Sequence, residues 1–187
     1  LGTQIYDAGR KAEVLRKRAL SNGGGLGQAP LGLHYKGWYG ALKLSEAVIA
    51  IDVIYKSYEL SMFQMAGDFA KTSLEEEMWS NLARDSQRHL DYGLHHLRWY
   101  MDHHELAHEI LPIFFGRQEA TFAGEMVTSP AEREALVVLF AGGTENLQTG
   151  IDKLQQLRGK QLVDYSDRLS SVGYDHAARV NRTLVAL

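Results

Sequence analysis

Residues 74–104 read LEEEMWSNLARDSQRHLDYGLHHLRWYMDHH. The run holds no proline and its apolar residues fall at helical spacing, so it reads as one long helix. Ser73 followed by Glu76 forms a capping box, and Glu75 and Glu77 suit the positive end of the helix dipole. About 30 residues at the standard rise span roughly 45 Å. The short turn Lys71-Thr72-Ser73 joins this helix to a run of matched length over residues 41–70. Two such helices and a short turn make an antiparallel hairpin.

The earlier helix is apolar on nearly every face, with Val48, Ile49, Ile51, Val53, Ile54 and Leu60 in its middle. A helix of that kind belongs in the centre of a bundle. Asp52 and Glu59 interrupt it, seven residues apart and so on one face. Carboxylates in such a setting are expensive unless they are paired or bind a metal.

Outward from the hairpin the pattern stays helical, and no alternating run reads as a strand. A first helix covers residues 4–20 and stops at Ser21-Asn22-Gly23-Gly24-Gly25-Leu26-Gly27. The glycine-rich stretch over 21–40 lacks the Lys-Ser/Thr of a phosphate-binding loop and follows no strand, so it reads as a connector. Beyond residue 105 accessory helices are expected. One covers 108–125, bent or started at Pro112. One opens at the capping box Ser129-Pro130-Ala131-Glu132 and ends near Phe140. One follows the break at Gly142-Gly143, capped by Thr144, and runs to about Ser170. A last one follows Gly173.

Composition sets bounds. Apolar residues make up 45% and charged residues 23%, which argues for a globular chain rather than disorder. The net charge of −3 gives no basic excess for nucleic acid or an acidic membrane. With no cysteine, disulfides, thiol nucleophiles and zinc–thiolate sites are excluded. The longest apolar stretch, 47–54, carries Asp52 and is too short to cross a bilayer. Lack of a signal peptide and of cysteine points to the cytoplasm. The sequence begins Leu1-Gly2-Thr3 without a Met, so a further upstream helix is expected. No Ser-His-Asp or nucleophile-elbow pattern is present.

Asp85-Ser86-Gln87-Arg88-His89 sits late on the long capped helix, and Asp7-Ala8-Gly9-Arg10-Lys11 echoes it on the first. Together these motifs resemble the ferritin-like superfamily, in the branch holding ribonucleotide reductase small subunits and bacterial multicomponent monooxygenase hydroxylases. Its metal-helix signature is Asp-Glu-x-Arg-His. There the single Glu of the preceding helix lies roughly 34 residues before the motif's Glu, and Asp52 lies 34 before Ser86. The resemblance covers residues 1–104. It implies an all-α, ferritin-like antiparallel bundle in one domain over 1–187. Residues 1–20 would close a first hairpin, 21–40 connect, 41–104 form the second hairpin and 105–187 add C-terminal helices.

Such sites use hard carboxylate oxygens and one imidazole per iron. In the family the motif's Asp and Arg support ligands rather than bind metal. Here the supporting Asp and Arg remain at both motifs, while most ligands are replaced. Ser86 and Ala8 stand for both glutamates and Lys11 for one histidine. An ammonium at a ligand position opposes a dication. The resemblance therefore implies a degenerate site without cofactor, in a structural or partner subunit of the kind that accompanies multicomponent monooxygenases. Such a chain would form a homo- or hetero-oligomer through helical faces, with no nucleic acid and no membrane. The alternative is an active oxidoreductase or monooxygenase holding iron or manganese on Asp52, Glu59, Asp85 and His89. A third possibility is an apolar ligand in the emptied cavity near Ser86 and Asp52.

Other residues have plainer readings. His89, His96 and His103 share a face, read as an exposed polar or subunit-contact stripe before a metal or pH-sensing one. Asp85 and Arg88 are expected to pair across the bundle. Trp79, Trp99, Tyr92 and Tyr100 are expected in the core or an interface. Glu145, Asp152, Asp164 and Asp167 with Lys153, Arg158, Lys160 and Arg168 read as a solvated helix face.

Overall fold

The computed structural model describes residues 2–24, 38–128 and 130–176. Every regular element among them is helical, as the spacing of apolar residues predicts. Helix α1 is Gly2–Ser21. The hairpin's first helix is a continuous rod in three parts: α2 (Leu44–Val48), a π-helical segment (Ile49–Tyr55) and α3 (Lys56–Gly67). Backbone angles stay right-handed helical at Ile49 and Lys56, where the parts join. The rod starts three residues later than the sequence suggests. Glu46, in its first turn, reaches back to accept the Leu42 N–H at 3.1 Å and closes the entry. Helix α4 is Ser73–His103. Its cap is Thr72 rather than Ser73, because the Thr72 hydroxyl accepts the Glu75 N–H at 3.2 Å.

Helices α5 (Ala107–Thr128), α6 (Pro130–Ala141) and α7 (Leu147–Ser171) follow. Helix α5 begins five residues before Pro112, so the proline sits inside it rather than at its start. Pro130 is the first residue of α6, where its missing N–H costs nothing. Its expected cap, Ser129, lies outside the described residues. Asn146 rather than Thr144 precedes α7. At the far end Gly173 takes φ +85° and the Tyr174 N–H returns to the Leu169 carbonyl at 3.0 Å, a helix stop that favours glycine. Residues 174–176 are not helical, and the rest of the expected last helix lies outside the described residues, as do residues 25–37 of the connector.

The rod is central. Its apolar face joins Leu90, Leu94 and Leu97 of α4, Leu111 and Phe115 of α5, and Tyr165 and Leu169 of α7 in one core. Helix α4 runs antiparallel to it. At Gly93 the two backbones come so close that a Cβ would lie 2.8 Å from the Asp52 carbonyl carbon. Helix α7 covers the rod's other side, where Gln161 and Arg168 donate to the Tyr58 and Ser57 carbonyls at 2.8 and 2.7 Å. Arg158, Asp164 and Arg168 therefore turn partly inward rather than lining a solvated face. They do so because the Ser57, Tyr58 and Ser61 polar groups face α7. The C-terminal segment is pinned by His176, which meets the buried Glu119 carboxylate beside the Tyr165 hydroxyl.

Glycines set the helix spacing. A Cβ at Gly150 of α7 would lie 2.1 Å from the Val137 carbonyl oxygen of α6, whereas one at Gly159 would meet nothing within 4 Å. In urea unfolding, Gly150→Ala is expected to lose about 2–3 kcal/mol through overpacking against backbone. Gly159→Ala should gain about 0.5–1 kcal/mol by helix propensity. Equal effects at the two positions would contradict the close α6–α7 contact.

Candidate functional site

The two echoing motifs meet face to face. Helix α1 runs antiparallel to α4, so Asp7 lies opposite Arg88 and His89, and Arg10 opposite Asp85. The Arg88 guanidinium donates to Asp7 at 2.9 Å and to Asp85 at 2.8 Å. Arg10 donates to Asp85 and, at 3.4 Å, to Asp7. Two carboxylates and two guanidiniums thus close a ring across the helix pair, with the aspartates buried and the arginines half exposed. Asp85 and Arg88 meet Arg10 and Asp7 of α1 across the helix pair, as expected of them, and also pair with each other along α4.

His89 points inward, and its Nε2 lies 3.0 Å from Asp7. Burial holds its imidazole below the ordinary range, although the Asp7 hydrogen bond pulls the other way. A neutral ring donating Nε2–H to the Asp7 carboxylate fits both. Burial pushes the Asp7 carboxyl up, but the hydrogen bonds from His89 and Arg88 outweigh it, so the net direction is downward.

One helical turn along α1, Lys11 reaches Glu59 of the rod. Glu59 is 4% exposed. Lys56, three residues before it, donates to its second oxygen at 2.6 Å, and the Ser86 hydroxyl donates to that same oxygen at 2.7 Å. Desolvation would raise the Glu59 carboxyl, but the two ammoniums overcome it and hold the group ionised. Desolvation in turn lowers Lys11, partly offset by Glu59.

Asp52 occupies the next level of the same face, as its spacing from Glu59 predicts. It sits in the π-helical segment opposite Gly93 of α4 and accepts from the Gln4 amide at 3.3 Å. Single wide turns of this kind recur at functional sites. Burial pushes its carboxyl up to about 6, with the Gln4 hydrogen bond and the Lys56 charge acting against this.

The four residues expected to hold metal thus line one helix interface, but each already has protein partners. Asp85 is engaged by two guanidiniums, His89 by Asp7, Glu59 by two ammoniums and a hydroxyl, and Asp52 by an amide. Among the described residues no three His, Asp or Glu side chains form a group that could hold a metal ion. The cleft beside Ser86, Lys11 and His89 has about 10 Å³ of space, room for one water at most. A di-metal centre does not fit this donor set, because two fixed cations stand against the carboxylate it would need. The cleft at Ser86 has no room for an apolar ligand.

Lys56 is the site residue that reading the sequence missed. Its signal was legible: it lies four residues after Asp52 and three before Glu59, the spacing at which helix neighbours meet. Gly93 and Gln4 carried no such signal. The histidine stripe divides, with His89 buried, His96 half-buried and accepting or donating at Ser45, and His103 exposed against the Trp99 ring. Tyr100 is in the core, while Trp99 and Tyr92 are exposed.

No protein-family model, curated protein or solved structure matches this chain.

Two measurements follow from these charges. The folded state keeps the Asp52 proton to about pH 6 against 3.8 for the free group. Between those values the native state binds more protons than the unfolded one, so this carboxyl lowers stability as pH rises, by about 3 kcal/mol in full. Asp52→Asn removes that term. Its stability relative to the parent should climb from pH 4 to pH 7 in paired urea titrations, and a flat difference would refute the burial assigned to Asp52. Glu59→Gln leaves the buried Lys56 and the half-buried Lys11 without a counter-charge and should lose about 3 kcal/mol at pH 7. A loss under about 1 kcal/mol, the range of exposed pairs, would show that Glu59 is solvated.

Proposed function

We propose that this chain is a ferritin-like, di-iron-oxygenase-related protein whose metal site has given way to an internal ion-pair cluster. It acts as a structural or partner subunit in a helical oligomer. The observation that carries this reading is the pair of ammoniums, Lys11 and Lys56, holding Glu59 with Ser86. A buried carboxylate needs compensating charge, and two lysines supply it within the chain. The facing Asp-x-x-Arg motifs support the relation to the family, since reciprocal pairing is what two copies of one motif on antiparallel helices produce.

A role in assembly draws on the exposed apolar residues. Tyr92, Trp99, Leu106 and Ile113 lie near one end of α4 and along α5, and Ile5 and Tyr6 face outward from α1 at 75% and 69% exposure. Large exposed side chains grouped on helix faces mark protein contacts. No helix of the described residues is long and apolar enough to cross a membrane.

Metal analysis of the purified chain after loading with Fe(II) or Mn(II) tests the reading. The parent protein should retain only traces. A variant with Ala8→Glu, Lys11→His and Ser86→Glu restores ligand types and removes one cation, and should bind markedly more metal. Near-stoichiometric iron or manganese in the parent, lost in His89→Ala, would overturn the proposal in favour of an active metal-dependent oxidoreductase.

A further inference from the structure

The free volume of this protein is not at the ion cluster. A groove of about 730 Å³ runs between α6 and α7, inside the usual range for small-molecule sites. Leu147, Ile151 and Leu154 lie on one stripe of α7 and face Val137 and Val138 of α6 across it. Several stay open to solvent, with Leu147 at 43%, Ile151 at 39% and Val138 at 38% exposure.

Arg158 continues that stripe at the inner end. Its guanidinium donates to Gln161 at 2.9 Å on its own helix, and no ion pair joins it to a carboxylate of the described residues. Desolvation pulls it below the usual arginine range, and Glu132 acts only as a more distant charge. A desolvated guanidinium without a carboxylate is costly, and its planar fork fits one well. A smaller cleft of about 80 Å³ shares Met126, Arg133 and Arg158 with the groove and is lined by Tyr58, with Glu59, Glu125 and Glu132 also on its walls. The Tyr58 hydroxyl is buried without a hydrogen-bond partner among the described residues. Burial raises its titration, so the group stays a donor. Two groups that both want an acceptor thus stand where the apolar groove meets the smaller cleft. At the open rim Glu134 and Arg133 offset each other.

We propose that this groove binds an amphipathic carboxylate, with its alkyl chain along Val138, Leu147, Ile151 and Leu154 and its carboxylate on Arg158 and Tyr58. The eleven helical steps from Leu147 to Arg158 span about 16 Å, the length of an extended chain of roughly twelve carbons. This inference does not depend on the metal reading.

Calorimetric titration of the full chain with dodecanoate, below its micelle concentration, tests it against dodecanol and dodecyltrimethylammonium. Dodecanoate should bind at least about tenfold more tightly than either, because only it answers the guanidinium. Arg158→Gln and Tyr58→Phe should each weaken dodecanoate by about tenfold and leave dodecanol unchanged. Ile151→Trp should fill the groove and abolish both. Circular dichroism melting confirms that each variant is folded. Equal affinity for dodecanoate and dodecanol, or dodecanoate binding indifferent to Arg158, overturns the proposal. So does absence of binding, including the case where Ile151→Trp changes the oligomeric state in light scattering and marks the groove as a contact between copies.

Discussion

The arrangement of the first three helices in space depends on one buried charge, the Glu59 carboxylate. It belongs to the rod, its counter-charges come from α1 and from the rod itself, and its hydroxyl donor comes from α4. The rod and α4 would pack without it, since Leu90, Leu94 and Leu97 meet Ile49, Val53 and Ile54 in the main core. Helix α1 has no such claim. Its one buried residue is Asp7, and only Val14 and Leu15 lean on the small cluster of Phe63, Met78 and Leu82. What fixes α1 is charge: Asp7 and Arg10 to α4, Lys11 to Glu59, and Arg18 to Glu75. Ion pairs with half-exposed arginines contribute little each. The buried Lys11–Glu59 contact, where an unpaired charge is costly, is the strong anchor.

The polar layers are spaced in register. Gln4, Asp52 and Gly93 form one level, and Lys11, Glu59 and Ser86 the next. Each helix advances seven residues between levels, about two turns. A seven-residue step nearly repeats a face on an α-helix, so helices that meet at one level meet again near the other. The π-helical segment holds Asp52 against Gly93, where a Cβ on α4 would run into the Asp52 backbone and Cβ. Ammonium groups suit this geometry better than an ion would. They bring positive charge attached to the helices that need joining, and they require hydrogen-bond acceptors rather than a full coordination shell.

Much of this was legible in the residues. The hairpin, the central character of the rod and the burial of Asp52 and Glu59 followed from apolar spacing and from the cost of isolated carboxylates, whereas His89, read with His96 and His103 as an exposed stripe, is buried. That Asp85 and Arg88 make polar pairs across the bundle followed from the cost of burying a charge alone. The equivalent pair from α1 did not, because nothing in sequence fixes the register between α1 and α4. Glu119 and His176 were invisible for the same reason: they lie 57 residues apart and meet only because Gly173 ends α7 and returns the chain onto α5. The solvated reading of Arg158, Asp164 and Arg168 failed because charge patterning assumes that charged residues face water. Here the rod offers carbonyls and hydroxyls to α7, and long side chains bury their stems while their heads find those acceptors.

That same interface explains why the groove lies where it does. Gly150 brings α7 onto the Val137 backbone, which fixes the spacing of α6 and α7 along one edge. Farther along α7, Gln161 and Arg168 are committed to the rod. Arg158 lies between these two attachments, and the Leu147–Ile151–Leu154 stripe runs outward from it along an apolar wall. Tyr58 is held rigidly there, its carbonyl accepting from Gln161 and its ring packed on Phe122 and Tyr165. A buried hydroxyl and a half-buried guanidinium already held by Gln161 are preorganised for an acceptor, so an anion arriving there would not have to bear the full cost of ordering them. Packing leaves only about 10 Å³ beside Ser86, whereas the accessory helices α6 and α7 frame the larger groove.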